Sequence, residues 1–218
     1  MWDQFWEPIQ LSITVTITAS IMVIIAGTML GYLFARKTFK FKVLLETLFM
    51  LPLVLPPSVI GFLLIVLFGN QSVAGNMIKV IFGKSLIFTW YAAVIAASVV
   101  AFPLMFQTAK AGFQGIQKGI EEAAIDLGAN RKQVFLRISI PLAKKALLAG
   151  CVLSGARALG EFGATLMFAG NIPGVTQTVP TAIYMAIDKG DMFLAWAWVI
   201  TMMMLSFLLI YFVRSKEN

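Results

Sequence analysis

Histidine is absent from this 218-residue chain, cysteine occurs once, and charged side chains make up only 12% of it. Without histidine the chain lacks the commonest metal ligand and the commonest general base, which puts an enzymatic reading at a disadvantage. The single Cys151 lies inside an apolar run, forms no intrachain disulfide, and reads as a packing thiol. No linker, low-complexity tract or short-period repeat divides the sequence. Alternating ten-residue segments, the mark of a membrane barrel, are missing as well. The start of the chain carries no basic leader, and its first apolar run is too long for a cleaved signal core. That run is expected to stay as an anchor helix.

What remains is apolar. Hydrophobic residues make up 60% of the chain and the mean hydropathy is +0.89. Several apolar runs approach the roughly 20 residues that a bilayer-spanning helix needs. With no water in the hydrocarbon core to satisfy backbone groups, such runs must be helical. The sequence predicts an all-α integral membrane protein with about five transmembrane helices, near 9–35, 43–69, 86–110, 144–169 and 192–213. They form one transmembrane domain over 8–213, with a long loop at 111–143.

The formal net charge of +7 does not point to nucleic acid, because its placement follows the membrane. Thirteen of the seventeen basic residues fall on one side of the predicted spans: Arg36, Lys37, Lys40 and Lys42, then Lys110, Lys118, Arg131, Lys132, Arg137, Lys144 and Lys145, then Arg214 and Lys216. The other side has Lys79, Lys84 and Lys189 beside the acidic Asp3 and Glu7. Basic residues accumulate on the cytoplasmic side, so the N-terminus is expected outside and the C-terminus inside. Trp2, Trp6, Trp90, Tyr91, Trp196 and Trp198 fall near the outer ends of their segments, as an interfacial aromatic belt would. One nucleotide-binding pattern fails. Phe82-Gly83-Lys84-Ser85 ends like a phosphate-cradling loop, but Ile78 stands where its first glycine belongs, and the stretch lies outside. Any ATPase is therefore a partner.

Three stretches depart from plain apolar helix. Pro52, Pro56 and Pro57 fall in mid-membrane, where each removes a backbone donor and forces a bend or break. Such a bend is either a packing kink or the wall of a pathway; Pro103 adds a weaker one. In the fourth segment Ala156, Gly160 and Ala164 recur every four residues, a spacing that lets helices approach closely. Arg157 and Glu161 sit in the same segment, one turn apart on one face. Ionisable groups at this depth either lock packing as a neutral pair or line a solute pathway, where a permanently charged guanidinium attracts an oxyanion. On the outer side, Thr176, Gln177, Thr178 and Thr181 cluster between Pro173-Gly174 and Pro180. They form either a polar turn leading into a short interfacial helix or a set of neutral donors for a hydrated tetrahedral anion.

The internal loop holds a polar, basic island from Glu122 to Pro141. Ile120, Ala123, Ala124 and Leu127 share one face of a short helix, Glu121 and Glu122 occupy its first turn, and Gly128 ends it. Such a helix lies on lipid or plugs a groove on a soluble partner. Two alanines and no aromatic make a poor lipid-binding face, which favours the partner.

The spacing Glu122-Ala123-Ala124, Gly128, Ile138, Pro141 resembles the cytoplasmic loop of ABC importer permeases. The blocks Ala156–Thr165, Ala169–Gly174 and Thr176–Thr178, with Leu51–Pro57, resemble the permease subunit of bacterial molybdate importers, and nearly as well those for tungstate and sulfate. The resemblance implies a type I ABC importer permease in the bacterial cell membrane, acting as a homodimer. It implies a cytoplasmic ATPase dimer, which alone would bind ATP and magnesium, and an extracytoplasmic oxyanion-binding protein. Coupling to the ATPase would then fall to Glu121, Glu122, Ala123, Ala124, Asp126, Leu127, Gly128 and Arg131. The pathway candidates are Ser154, Arg157, Glu161, Thr165, Thr176, Gln177, Thr178, Pro56 and Pro57, with no catalytic or metal-binding residue expected. A channel or secondary transporter using the Arg157–Glu161 pair is the alternative, though neither needs a surface helix of this spacing. A membrane enzyme comes third.

The charge pattern makes a direct prediction about orientation. Cysteines introduced at Gln71 and Lys189 should react with an impermeant thiol reagent from outside sealed cells, and one at Lys132 should not. Labelling at 132 would reverse the orientation.

Overall fold

The computed structural model describes residues 2–215, with side chains over 4–211 apart from Phe82, Lys118 and Leu209. Lys216 lies outside the described residues, as do the side chains of Trp2, Asp3, Lys118 and Arg214. All regular structure among the described residues is helical.

The first helix, α1 (Trp2–Arg36), begins seven residues before the expected span and carries Pro8 within its early turns. The second expected span is two helices, α2 (Lys42–Val54) and α3 (Pro57–Phe68). Leu55 and Pro56 between them are extended, with ψ of 143° and 138°. A residue ahead of proline is pushed to that conformation, and Pro57 then opens a new helix where its missing N–H is no loss. Pro52 and Pro103, by contrast, are carried inside helices. A short helix that the apolar pattern did not reveal, α4 (Val73–Phe82), follows α3 at a bend of 63°.

The third span is α5 (Trp90–Gln114). The long loop folds into α6 (Lys118–Asp126) and α7 (Arg131–Val134), a π-helical turn over Phe135–Ser139, and α8 (Ile140–Leu142). The fourth expected span also divides, into α9 (Lys144–Leu159) and α10 (Gly163–Phe168). The short helix foreseen after the threonine-rich turn is α11 (Val179–Asp188), and α12 (Met192–Ser215) ends the described chain. By length and apolarity, α1 and α5 each cross a membrane unaided, and α3 with α4 supplies a third, bent candidate. Segments 43–69 and 144–169 are therefore each broken into two helices rather than single rods.

The core forms around α5, which buries 61% of its most apolar window against 22% for α1. Between membrane helices water supplies no driving force, so contact depends on close van der Waals fit. Two glycines one turn apart on α1 provide it. A Cβ on Gly27 would stand 2.7 Å from Met105 Cγ, and one on Gly31 would stand 2.8 Å from Ala109 Cβ. On the other flank, a Cβ on Gly112 would meet that of Ala146 on α9 at 2.5 Å. Alanines 92, 93, 96, 97, 101 and 109 keep α5 slender and are all buried. Toward the Arg36 end of α1, Phe34, Phe49 and Phe106 tie α1, α2 and α5 together with ring centroids 5.3–5.6 Å apart. Of the three small residues expected to allow close approach, Ala164 does so, against Gly61 of α3, while Ala156 and Gly160 are exposed; the break after α9 takes the three off one continuous face.

A leucine at Gly31 should force α1 off α5 and destabilise the protein by about 1–3 kcal/mol, as overpacking does. Gly119→Ala, whose added Cβ would meet nothing within 4 Å, should leave stability unchanged or raise it. Thermal unfolding in detergent compares the two; equal melting temperatures for wild type and Gly31→Leu would remove the glycine contact from the account.

Candidate functional site

Residues singled out by the sequence gather in two zones, one on the surface helix α6 and one where the two broken spans meet. In the first, Gly128 has φ +92°, and its N–H bonds to Ile125 O while that of Ala129 reaches Ala124 O, at 2.9 and 3.0 Å. This paired arrangement closes the end of α6 as a Schellman cap. No atom lies within 4 Å of a Cβ built on Gly128, so backbone conformation rather than space calls for glycine there. Two residues on, Asn130 and Gln133 form a reciprocal capping box at 2.8 and 2.9 Å, which starts α7. Ile120, Ala123 and Leu127 are exposed, Leu127 by 89%, and Ala124 is half-buried. Glu122, Asp126 and Arg131 are also exposed.

Glu121 behaves differently from its neighbour Glu122. It is buried, and its carboxylate meets Arg36 at the end of α1: Nε lies 2.7 Å from Oε2 and Nη2 donates to Oε1 at 2.9 Å. The Ser139 hydroxyl donates to the same Oε1 at 2.6 Å. The sequence placed Arg36 among the cytoplasmic positive charges and gave Ser139 no role. Nothing local could have paired Arg36 with a glutamate 85 positions away. A second ion pair, Lys110 to Glu46 at 2.8 Å, joins α5 to α2 and was equally silent in sequence.

In the second zone α9 stops at Leu159, and Glu161 lies in the break rather than on the helix face expected for it. Its Oε2 stands 2.7 Å from Arg157 Nη1, and its Oε1 accepts the Ala164 N–H at 2.8 Å. One carboxylate thus neutralises the arginine and caps the first turn of α10. The Glu161 side chain is 1% exposed and that of Arg157 29%, so the guanidinium faces outward from a sealed partner. The two breaks touch: a Cβ on Gly163 would lie 3.0 Å from that of Pro57, and one on Gly61 would lie 3.1 Å from Ala164 Cα. Pro56, Pro57, Ser58, Ala156 and Gly160 are exposed around this junction.

The remaining pathway candidates are less open. Ser154 is fully buried and bonds back to Gly150 O at 2.7 Å. Thr176 accepts the Ile172 N–H at 2.9 Å, and Thr178 lies 3.4 Å from the Thr181 hydroxyl, so both hydroxyls serve the turn itself. Ser12 on α1, which the sequence reading passed over, accepts the Val179 N–H at 2.8 Å and holds the start of α11. Ser12, Glu161, Thr165 and Thr178 surround a void of about 10 Å³, enough for about one water and too small for a tetrahedral oxyanion. Gln177 faces instead a cavity of about 210 Å³, shared with Glu7, Lys189, Asp191 and Trp198.

The chain as a whole resembles known proteins. The chain is 58% identical over 216 residues to YvgM of Bacillus subtilis (strain 168), a protein provisionally named for a molybdenum transport system permease; the match covers 99% of this chain and 95% of that one. It is 42% identical over 186 residues to the molybdenum transport system permease protein ModB of Escherichia coli (strain K12), covering 85% and 81%. A bacterial ABC transporter that imports the acidic polysaccharide alginate shares the fold at a TM-score of 0.77 and 16% identity, over 98% of this chain and 78% of that one. Residues 27–215 match the family model of the binding-protein-dependent transport system inner membrane component, and the chain belongs to that family.

Proposed function

We propose that the chain is the membrane-spanning permease subunit of an ATP-driven importer whose substrate is molybdate. The observation that carries the substrate is the nearly full-length likeness to YvgM, named for molybdenum transport. Tungstate and sulfate, tetrahedral dianions of the same kind, are the competing cargoes. Two copies of the chain enclose the pathway, and the exposed, mostly small residues around the double break (Pro56, Pro57, Ala156 and Gly160) form the surface that a second copy closes. Two Arg157 guanidiniums then flank the route of a dianion, each fixed in charge at any physiological pH.

The exposed face of α6, with Ile120, Ala123 and Leu127 beside Glu122, is the docking surface for a cytoplasmic ATPase dimer. ATP and magnesium belong to that partner, and this chain holds no cofactor of its own. An extracytoplasmic binding protein delivers the oxyanion. ATP binding closes the ATPase dimer, α6 follows, and the pathway turns from inward- to outward-facing. The void of about 10 Å³ beside Glu161 fits this division of labour: the delivery protein selects the cargo, and the permease need not hold it tightly.

Vesicles holding the chain with its ATPase and binding protein should take up labelled molybdate only with ATP inside the compartment that holds the ATPase. Excess tungstate should compete more strongly than excess sulfate. Uptake of sulfate in preference to molybdate would reassign the cargo, and uptake without ATPase would remove the importer reading.

The pair at the break makes a second prediction. Arg157→Ala alone leaves the Glu161 carboxylate buried and unpaired, at a cost of about 3–5 kcal/mol, and should lower the amount of assembled protein. Adding Glu161→Gln removes that charge and keeps an acceptor for the Ala164 N–H, so assembly should recover. If Arg157 guides the anion, the double variant should still transport poorly. Full uptake by the double variant would make the arginine a packing residue.

A further inference from the structure

We propose that Arg36, Glu121 and Ser139 form the joint through which movement of α6 reaches the membrane helices, a reading that rests on the docking role given to α6 above. Every other described side chain of α6 is exposed or half-buried, and Glu121 alone turns inward to 8% exposure. Among the described residues, its carboxylate makes the only side-chain hydrogen bonds that join α6 to the rest of the chain. The docking residues Ile120, Ala123 and Leu127 are exposed on α6, so the helix has a partner-facing surface and an anchored residue.

The two attachments lead to different places. Arg36 is the last residue of α1, which is locked to α5 through Gly27 and Gly31 and whose other end holds α11 through Ser12. Ser139 ends the π-helical turn that leads through α8 into α9, at whose far end Arg157 meets Glu161. A displacement of α6 therefore acts at once on α1 and on the chain running to the double break. An arginine fork on a carboxylate fixes direction as well as distance, which a single lysine contact does not. The pair is largely shielded, with side chains 13% and 11% exposed, so salt screens it little. A groove of about 690 Å³ lined by Tyr32, Leu33, Arg36, Glu121, Ile125 and Val134 flanks the joint and leaves α6 room to swing.

The test uses the assembled transporter in vesicles, measuring complex assembly, ATP hydrolysis and molybdate uptake on the same preparations. Glu121→Gln and Arg36→Lys should assemble and hydrolyse ATP near the wild-type rate, while the ATP used per molybdate imported rises roughly 2- to 30-fold. Ser139→Ala should raise it less. Exchanging the charges, Arg36→Glu with Glu121→Arg, should restore the ratio beyond either single change, a rescue that a general loss of folding would not allow. Leu127→Asp reports separately on docking and should lose assembly with the ATPase. Wild-type ratios in both Glu121→Gln and Arg36→Lys overturn the joint. So does loss of assembly in Arg36→Lys and Ser139→Ala together, because the cluster then serves docking or folding. Retained assembly and transport in Leu127→Asp would sink the docking reading instead and leave the joint to be judged on its own ratio.

Discussion

The fold depends on how closely α5 can be approached. In lipid an apolar side chain gains nothing by leaving one apolar surroundings for another, so helix association rests on contact area at short range. Gly27 and Gly31 let α1 lie against Met105 and Ala109, and Gly112 does the same for α9. Everything of functional interest is hung from those two flanking helices. The C-terminal end of α1 presents Arg36, and the end of α9 presents Arg157. If either helix moved off α5 by the width of a methyl group, the arginine it carries would shift relative to the rest of the bundle.

The two buried glutamates share a design. Each binds one arginine and offers an oxygen to a second donor: the Ser139 hydroxyl for Glu121, the Ala164 amide for Glu161. A carboxylate taken from water needs this many partners to offset its desolvation. In both places the second donor belongs to a different helical element from the arginine. Each carboxylate therefore fixes an angle between elements, which a hydrophobic pair of the same volume would leave looser.

Much of this was legible from sequence where the cause is local. Proline geometry divides the second span, and Gly128 with its flanking residues closes α6 by bonds reaching no more than five positions back. The apolar pattern could not show the break after α9, because Gly160, Glu161 and Phe162 interrupt an apolar run without a proline to force the issue. It also credited close packing to Ala156, Gly160 and Ala164, since their spacing is visible, but only Ala164 packs closely, and Gly27 and Gly31 gain meaning only from what faces them on α5. The Arg36–Glu121 contact lies wholly in tertiary structure. The charge pattern assigned both residues to one side of the membrane and could not introduce them to each other.

The turn between α6 and α7 is tied on both sides, by the bonds from Gly128 and Ala129 to α6 and by the Asn130–Gln133 box on α7. These bonds leave few soft backbone torsions free between the helices and set the angle at which α6 meets α7. Its outer arm, the nine residues of α6, measures about 14 Å at 1.5 Å per residue. Leu127 caps that arm at the elbow itself, so its exposed side chain stands where the two helices meet. The angle between the two helices is thus written into four backbone and side-chain hydrogen bonds at an exposed elbow, beside the groove where Arg36 meets Glu121.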